Sequence, residues 1–217
     1  MLKKLIKFIV IIFVLLIGFT TLQVIRYKYI NPENTNFMKI REKQAKAAKR
    51  RYKKIYKWVP LTNISYNLRR TVIRAEDAKF YEHNGFDFEA IKNAIKKNQK
   101  KKKIKYGAST ITQQLAKNLF LWPERSYLRK ALEAYYTILI EIFLSKDRIL
   151  ELYLNVIEWG DGIYGAEAAS QYYFKTTSKK LTLEQSALLT AIIPNPRKYK
   201  INSNYVNERK EKLLNNI

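Results

Sequence analysis

The most conspicuous feature of the hydrophobic pattern is one unbroken apolar block. From Phe8 to Ile25 the chain reads FIVIIFVLLIGFTTLQVI without a charge. At about 1.5 Å per residue such a helix nearly crosses a hydrocarbon core of ~30 Å. Lys3, Lys4 and Lys7 precede it, and Arg26 and Lys28 follow. A cleavable leader would start the same way. However, Gly18-Phe19-Thr20-Thr21-Leu22 offers no small-x-small cleavage site, and the run is longer than a leader's apolar core. The expectation is an uncleaved single-pass anchor over 8–25 behind a short cytoplasmic terminus, 1–7. Positive residues at both ends leave its orientation open by charge alone.

Beyond the anchor the periodicity is helical almost throughout. Asn31-Pro32-Glu33-Asn34 breaks the chain, and 37–56 reads as a basic helix within a juxtamembrane linker, 26–57. From 58 to 217 the composition is that of a folded domain. Asp87 is placed to cap a helix through Ile91, Ala94 and Ile95. Thr110-Ile-Thr-Gln113 has capping-box spacing, and its helix should stop at Phe120, before Trp122-Pro123. Ser126 should open a long helix whose Leu128, Leu132, Tyr135, Leu139 and Ile142 recur in steps of three and four, predicting one buried stripe. Ser145 should cap the next, with Ile149, Leu152 and Tyr153 inward. Thr182-Leu-Glu-Gln185 is a second capping box, closed by Pro194-Asn195-Pro196. No run alternates as strands do. The fold class expected is mainly α, of lysozyme size, with a single N-terminal transmembrane helix.

Composition narrows the chemistry. There is no cysteine and one histidine, which removes thiol nucleophiles, disulfides, Cys-based metal centres and His-rich metal sites. The net charge of +24 implies a polyanionic partner, either nucleic acid or an anionic membrane and its phosphates. Most of that charge lies in three places. These are Lys3 to Lys7, Lys39 to Lys57 with Glu42 as the one acid, and Lys96 to Lys105 with none. The second place, next to the anchor, would be drawn to anionic headgroups.

Catalysis must then come from carboxylates, amides, hydroxyls and cations. Glu76 follows Arg74-Ala75 and precedes the aromatic pair Phe80-Tyr81, where desolvation would raise its pKa toward a working general base. Glu133 has Arg129 four and Lys130 three residues before it, on the helix face opposite Leu132 and Leu139. Two carboxylates in contrasting surroundings suit sugar transfer. The same spacing also fits a surface helix with ordinary ion pairs.

Five ordered stretches resemble the motifs of the peptidoglycan glycosyltransferases, as found in monofunctional biosynthetic enzymes and in the N-terminal half of class A penicillin-binding proteins. They are Glu76-Asp77 through His83 to Asp87, Gly107 to Asn118, Arg129-Lys130-Ala-Leu-Glu133, Arg148 to Asn155 running on to Phe174, and Leu183 to Pro196. Val59-Pro60-Leu61 and Val156-Ile-Glu158-Trp159-Gly160 are most similar to the monofunctional Gram-negative form, and a chain ending at Ile217 would leave no room for a transpeptidase domain. One departure is Ala108, where the family usually has a second glycine.

The resemblance implies a lysozyme-like fold and polymerisation of lipid II into β-1,4-linked glycan with release of undecaprenyl diphosphate. It implies Glu76 as general base and Glu133 assisting diphosphate departure with Lys117 and Arg125. Ser109, Thr110, Gln113, Gln114, Asn118, Arg129 and Lys130 become candidate substrate contacts, with Asp77, His83 and Arg148 as further candidates. No cofactor is required, although a divalent cation (Mg or Mn) would be compatible with the family. The partners implied are lipid II, the growing glycan, membrane lipids and cell-wall synthesis or division proteins, with no nucleic acid. The catalytic domain would lie on the periplasmic side of the inner membrane. Two readings compete with this one. A lysozyme-like hydrolase would cleave finished glycan, and a membrane-tethered nucleic-acid or scaffolding protein would be indifferent to Glu76.

Overall fold

The computed structural model describes residues 1–101 and 107–215. Part of the Lys96–Lys105 run therefore lies outside the described residues. Among those described, the chain is mainly helical, as the pattern predicts. The N-terminal helix α1 spans Leu2–Tyr29, 28 residues, longer at both ends than the apolar block. It is the only described helix long and apolar enough to cross a membrane. Its residues up to Phe19 are exposed, but Thr20, Val24 and Tyr27 are buried against the rest of the protein.

The expected basic helix over 37–56 is helical only as α2, Asn36–Ala47, capped by Thr35. Lys49 then takes a positive φ of 50°, and Ile55–Tyr56 form a short strand, β1. Repulsion within the run Lys49 to Lys54 gives helix no support there, whereas a strand can pair with residues far along the chain. Helices α3 (Tyr66–Glu76), α4 (Phe88–Lys100) and α5 (Ile111–Phe120) follow. After them come α6 (Tyr127–Phe143) and α7 (Lys146–Val156). Strands β2 (Glu158–Gly160) and β3 (Ile163–Tyr164) lead into α8 (Ala166–Phe174), α9 (Leu183–Ile192) and α10 (Asn204–Leu214).

The caps are those the sequence indicates. Asp87 accepts from the Ala90 N–H at 2.8 Å, Ser126 from Arg129 and Ser145 from Arg148. Both capping boxes form in full. The small sheet was not legible: β3 lies in the middle, parallel to β1 and antiparallel to β2. Two- and three-residue strands are too short to show a period of two.

α5 is the hub. It packs between α6 and α7, with α2 on another side, while α3, α9 and α10 form a second layer. Its Ile111, Leu115 and Ala116 are fully buried. The stripe expected on α6 is rotated. Arg129, Glu133, Thr137 and Ile140 face inward, while Leu128 and Ile142 are 66% and 64% exposed. The inner wall of α6 borders a polar cleft, so its inward residues are charged, and its apolar face turns outward. Part of that face meets α1, where the Thr20 and Tyr135 hydroxyls lie 2.6 Å apart.

Candidate active site

The cleft is assembled around one face of α5. Gln114, Lys117 and Asn118 sit at i, i+3 and i+4, which places them on one side of the helix. A cavity of about 510 Å³ opens beside them, lined by Phe37, Arg41, Gly107, Ser109, Gln114, Lys117, Pro123, Arg125, Arg129, Lys130 and Glu133. A smaller lobe of about 170 Å³ shares Phe37, Arg41, Gln114 and Lys117 with it and adds Asn118, Ile157, Glu158 and the segment Ile193 to Arg197.

Glu76 ends α3 and accepts a hydrogen bond from the Gln114 amide at 2.9 Å. Burial pushes its carboxyl above the usual Glu range, opposed by the Gln114 bond and by the charges of Arg209 and Lys117. The apolar surroundings are not those expected from the sequence. Phe80 is in the core, and Tyr81 is exposed, its hydroxyl donating to Asp147. The neighbour that matters instead is Tyr153. Its buried hydroxyl donates to Gln114 Oε1 at 3.0 Å, which turns the amide NH₂ toward Glu76.

Glu133 is 3% exposed and ion-paired through both oxygens, to Arg129 Nη1 at 2.6 Å and to Lys130 Nζ. Lys130 also donates to Ser109 Oγ at 3.2 Å. Lys117 is held below the usual Lys value by desolvation, partly offset by the negative charge of Glu133. Its ammonium lies 5.7 Å from the centroid of the Phe37 ring, and the Arg41 guanidinium lies 4.9 Å from it. Thus α2, expected as a linker, supplies part of the cleft wall.

The remaining candidates separate by place. Thr110 and Gln113 are occupied in the α5 capping box, and the Thr110 hydroxyl also donates to the Gly85 carbonyl at 2.7 Å. Asp77 Oδ2 accepts from the Ile111 N–H and its Oδ1 bonds His83 Nε2 at 2.7 Å. His83 Nδ1 in turn accepts from the Gly85 N–H, so this pair braces the loop behind Glu76 against α5. Arg148 lies away from the cleft. It donates to the Tyr27 and Ile30 carbonyls and to Asn31, capping the C-terminal end of α1. Ala108 does not have a positive φ, so alanine adds no backbone strain there.

A transglycosylase family model matches residues 42–217. The chain belongs to the transglycosylase family. It is 48% identical over 218 residues to a biosynthetic peptidoglycan transglycosylase of Bdellovibrio bacteriovorus, covering 99% of this chain and 85% of that protein. It is 49% identical over 204 residues to the like-named protein of Caulobacter vibrioides, covering 93% and 86%. It is 54% identical over 169 residues to that of Thiobacillus denitrificans, covering 78% and 73%. The chain is therefore a peptidoglycan glycosyltransferase with a lysozyme-like helical domain. The family match begins inside α2, in keeping with the packing of that helix on α5.

The described residues offer no all-protein cage for a divalent ion. Glu133 spends both oxygens on cations, and among the described residues no three His, Cys, Asp or Glu side chains cluster as metal ligands.

Proposed function

We propose that this transglycosylase polymerises lipid II at the membrane surface, with Glu76 as the base. The observation that carries the reading is the contrast within one cleft. One carboxylate is desolvated and, among the described residues, hydrogen-bonded to a neutral amide, and the other is saturated with cations. Glu76 takes the proton from the 4-hydroxyl of the acceptor sugar as that oxygen attacks the donor's anomeric carbon. The carbon inverts from α to β, and the diphosphate leaves. A diphosphate needs its developing charge neutralised more than it needs a proton. Lys117, Arg125, Arg129 and Lys130 provide that charge. Glu133, bound on both oxygens, orients Arg129 and Lys130 and is not a proton donor.

The exposed part of α1 is the anchor in this reading, with the domain on the periplasmic side. Leu2 to Phe19 is ~27 Å of helix, slightly less than the hydrocarbon thickness. The exposed apolar side chains of α6, the helix on which α1 docks, would then meet lipid. Substrate and enzyme are held in the same surface, which raises their effective concentration.

The test is Glu76→Gln assayed with labelled lipid II in detergent. The variant keeps size and hydrogen bonding, so melting should be unchanged while polymer formation falls by about 10² or more. Retention of over a tenth of the rate would refute the assignment of the base.

A further inference from the structure

The smaller lobe holds an acidic group for which the reaction just described has no use. Glu158 opens β2, paired with Tyr164 of β3. Along a strand, successive side chains point to opposite faces. Trp159 accordingly goes fully into the core, and Glu158 turns to the wall of the lobe. Glu158 is 7% exposed and has the Gly162 N–H against its carboxylate, yet its buried Oε1 has no hydrogen-bond partner. The nearest cation, Arg41 Nε, is 3.6 Å from Oε2, beyond hydrogen-bond range, and this Nε is also unpartnered. Buried acceptors are almost always satisfied, so an orphan on a residue that lines a cavity marks a place for a donor from outside.

The geometry points to Glu158 as a substrate-contacting residue that accepts a hydrogen bond from a hydroxyl or acetamido N–H of the sugar in the smaller lobe. This rests on the lipid II reading above. Burial raises the Glu158 carboxyl above its ordinary range, with Arg41, Arg197 and the Gly162 N–H working against the rise, so it is poorly solvated in the free protein. The rest of the lobe suits the same ligand. Asn118 and Asn195 provide amides, Ile157 and Pro194 apolar walls, and Phe37 an aromatic face. Arg41, Lys117 and Arg197 also line this lobe, and a phosphate there would meet the negative charge of Glu158 among them. It is better served in the larger lobe, among Arg125, Arg129 and Lys130. The two lobes thus divide the substrate at Gln114 and Lys117, with neutral sugar on one side and diphosphate on the other.

The test uses the full chain in detergent, as wild type, Glu158→Gln, Glu158→Ala and Asn195→Ala, the last removing an exposed amide that the fold does not need. Three quantities are read: lipid II polymerisation, affinity for a soluble N-acetylglucosaminyl–N-acetylmuramic acid disaccharide, and affinity for a short isoprenyl diphosphate. Glu158→Ala should weaken disaccharide binding and raise KM for lipid II about tenfold, the size of one net hydrogen bond. Glu158→Gln, which retains an acceptor oxygen, should fall between it and wild type, and Asn195→Ala should weaken the disaccharide and raise KM for lipid II without changing diphosphate affinity. Diphosphate affinity and melting temperature should hold throughout. Unchanged disaccharide affinity in all three variants would overturn the inference. So would joint loss of both ligands with a lowered melting temperature, which would mark Glu158 as structural. If wild type makes no polymer, the lipid II reading falls and this one with it. If wild type polymerises and the Glu158 variants match it, only the role of Glu158 falls.

Discussion

Burial acts on Glu76 and Lys117 in opposite directions, raising the carboxyl and lowering the ammonium. The proposed reaction needs Glu76 ionised and Lys117 charged. The rate should therefore climb with pH through a limb above the usual carboxylate range and decline through one below the ordinary Lys value. The Gln114 amide stabilises the ionised Glu76, so removing it leaves desolvation less opposed. In Gln114→Leu the acid limb of kcat/KM should move to higher pH. Tyr153→Phe frees the Gln114 amide to turn and should shift the limb the same way by less. An acid limb that stays put or moves down in Gln114→Leu would disprove this coupling. These contacts also mark where the sequence stopped being informative. Glu76 and Glu133 stood out by residue type and local charge spacing, and the pairing of Glu133 with Arg129 and Lys130 follows from helix geometry alone. The Gln114 contact lies 38 residues from Glu76 and depends on how α3 meets α5, which no local pattern encodes.

Whole elements were legible wherever the signal was local. Five predicted caps formed because an N-cap and its helix are neighbours in sequence. The buried face of α6 was misjudged because periodicity reveals a stripe without saying what it faces. Here the inward stripe carries the charges of the cleft, and the apolar one lies outside. The turn after Glu76 shows what holds these elements in register. Gly85 has a φ of 86°, and a Cβ there would stand 2.6 Å from Thr137 Cγ2 and 3.0 Å from Glu141 Cγ, both on α6. Its carbonyl accepts from Thr110 at the start of α5. Gly85→Ala combines a left-handed backbone with a clash against a packed helix, so it should lower stability by about 1–3 kcal/mol in chemical denaturation. Activity should fall along with stability, because the loop braces Glu76. An unchanged denaturation midpoint would show that the loop is not clamped between α5 and α6.

At the scale of the whole molecule, the N-terminal apolar helix and the helical domain are not joined by a free tether. α1 continues as one helix into contact with α6, and Arg148 of α7 caps its end. α2 then buries Phe37, Met38 and Ala45, and Asn36 donates to the Phe120 and Leu121 carbonyls at the end of α5. Burial of a large apolar side chain is worth roughly 1.5–3 kcal/mol, so Phe37 and Met38 alone are a sizeable part of a typical domain's stability. Phe37 and Arg41 also wall both lobes of the cleft. Composition marked 26–57 as a linker because of its dense lysines and arginines, yet apolar residues spread among them make the contacts. Two truncations separate the parts. A chain of 20–217 keeps every buried residue of α1 and α2, so it should unfold cooperatively and polymerise lipid II in detergent near the full-length rate. On liposomes it should be much slower, because it is no longer held at the surface. A chain of 58–217 keeps all five motifs but loses α2 and β1. It should be markedly less stable and should lose most activity in detergent as well, because the cleft lacks a wall. Full detergent activity in 58–217 would show that α2 lies against the domain without supporting the site.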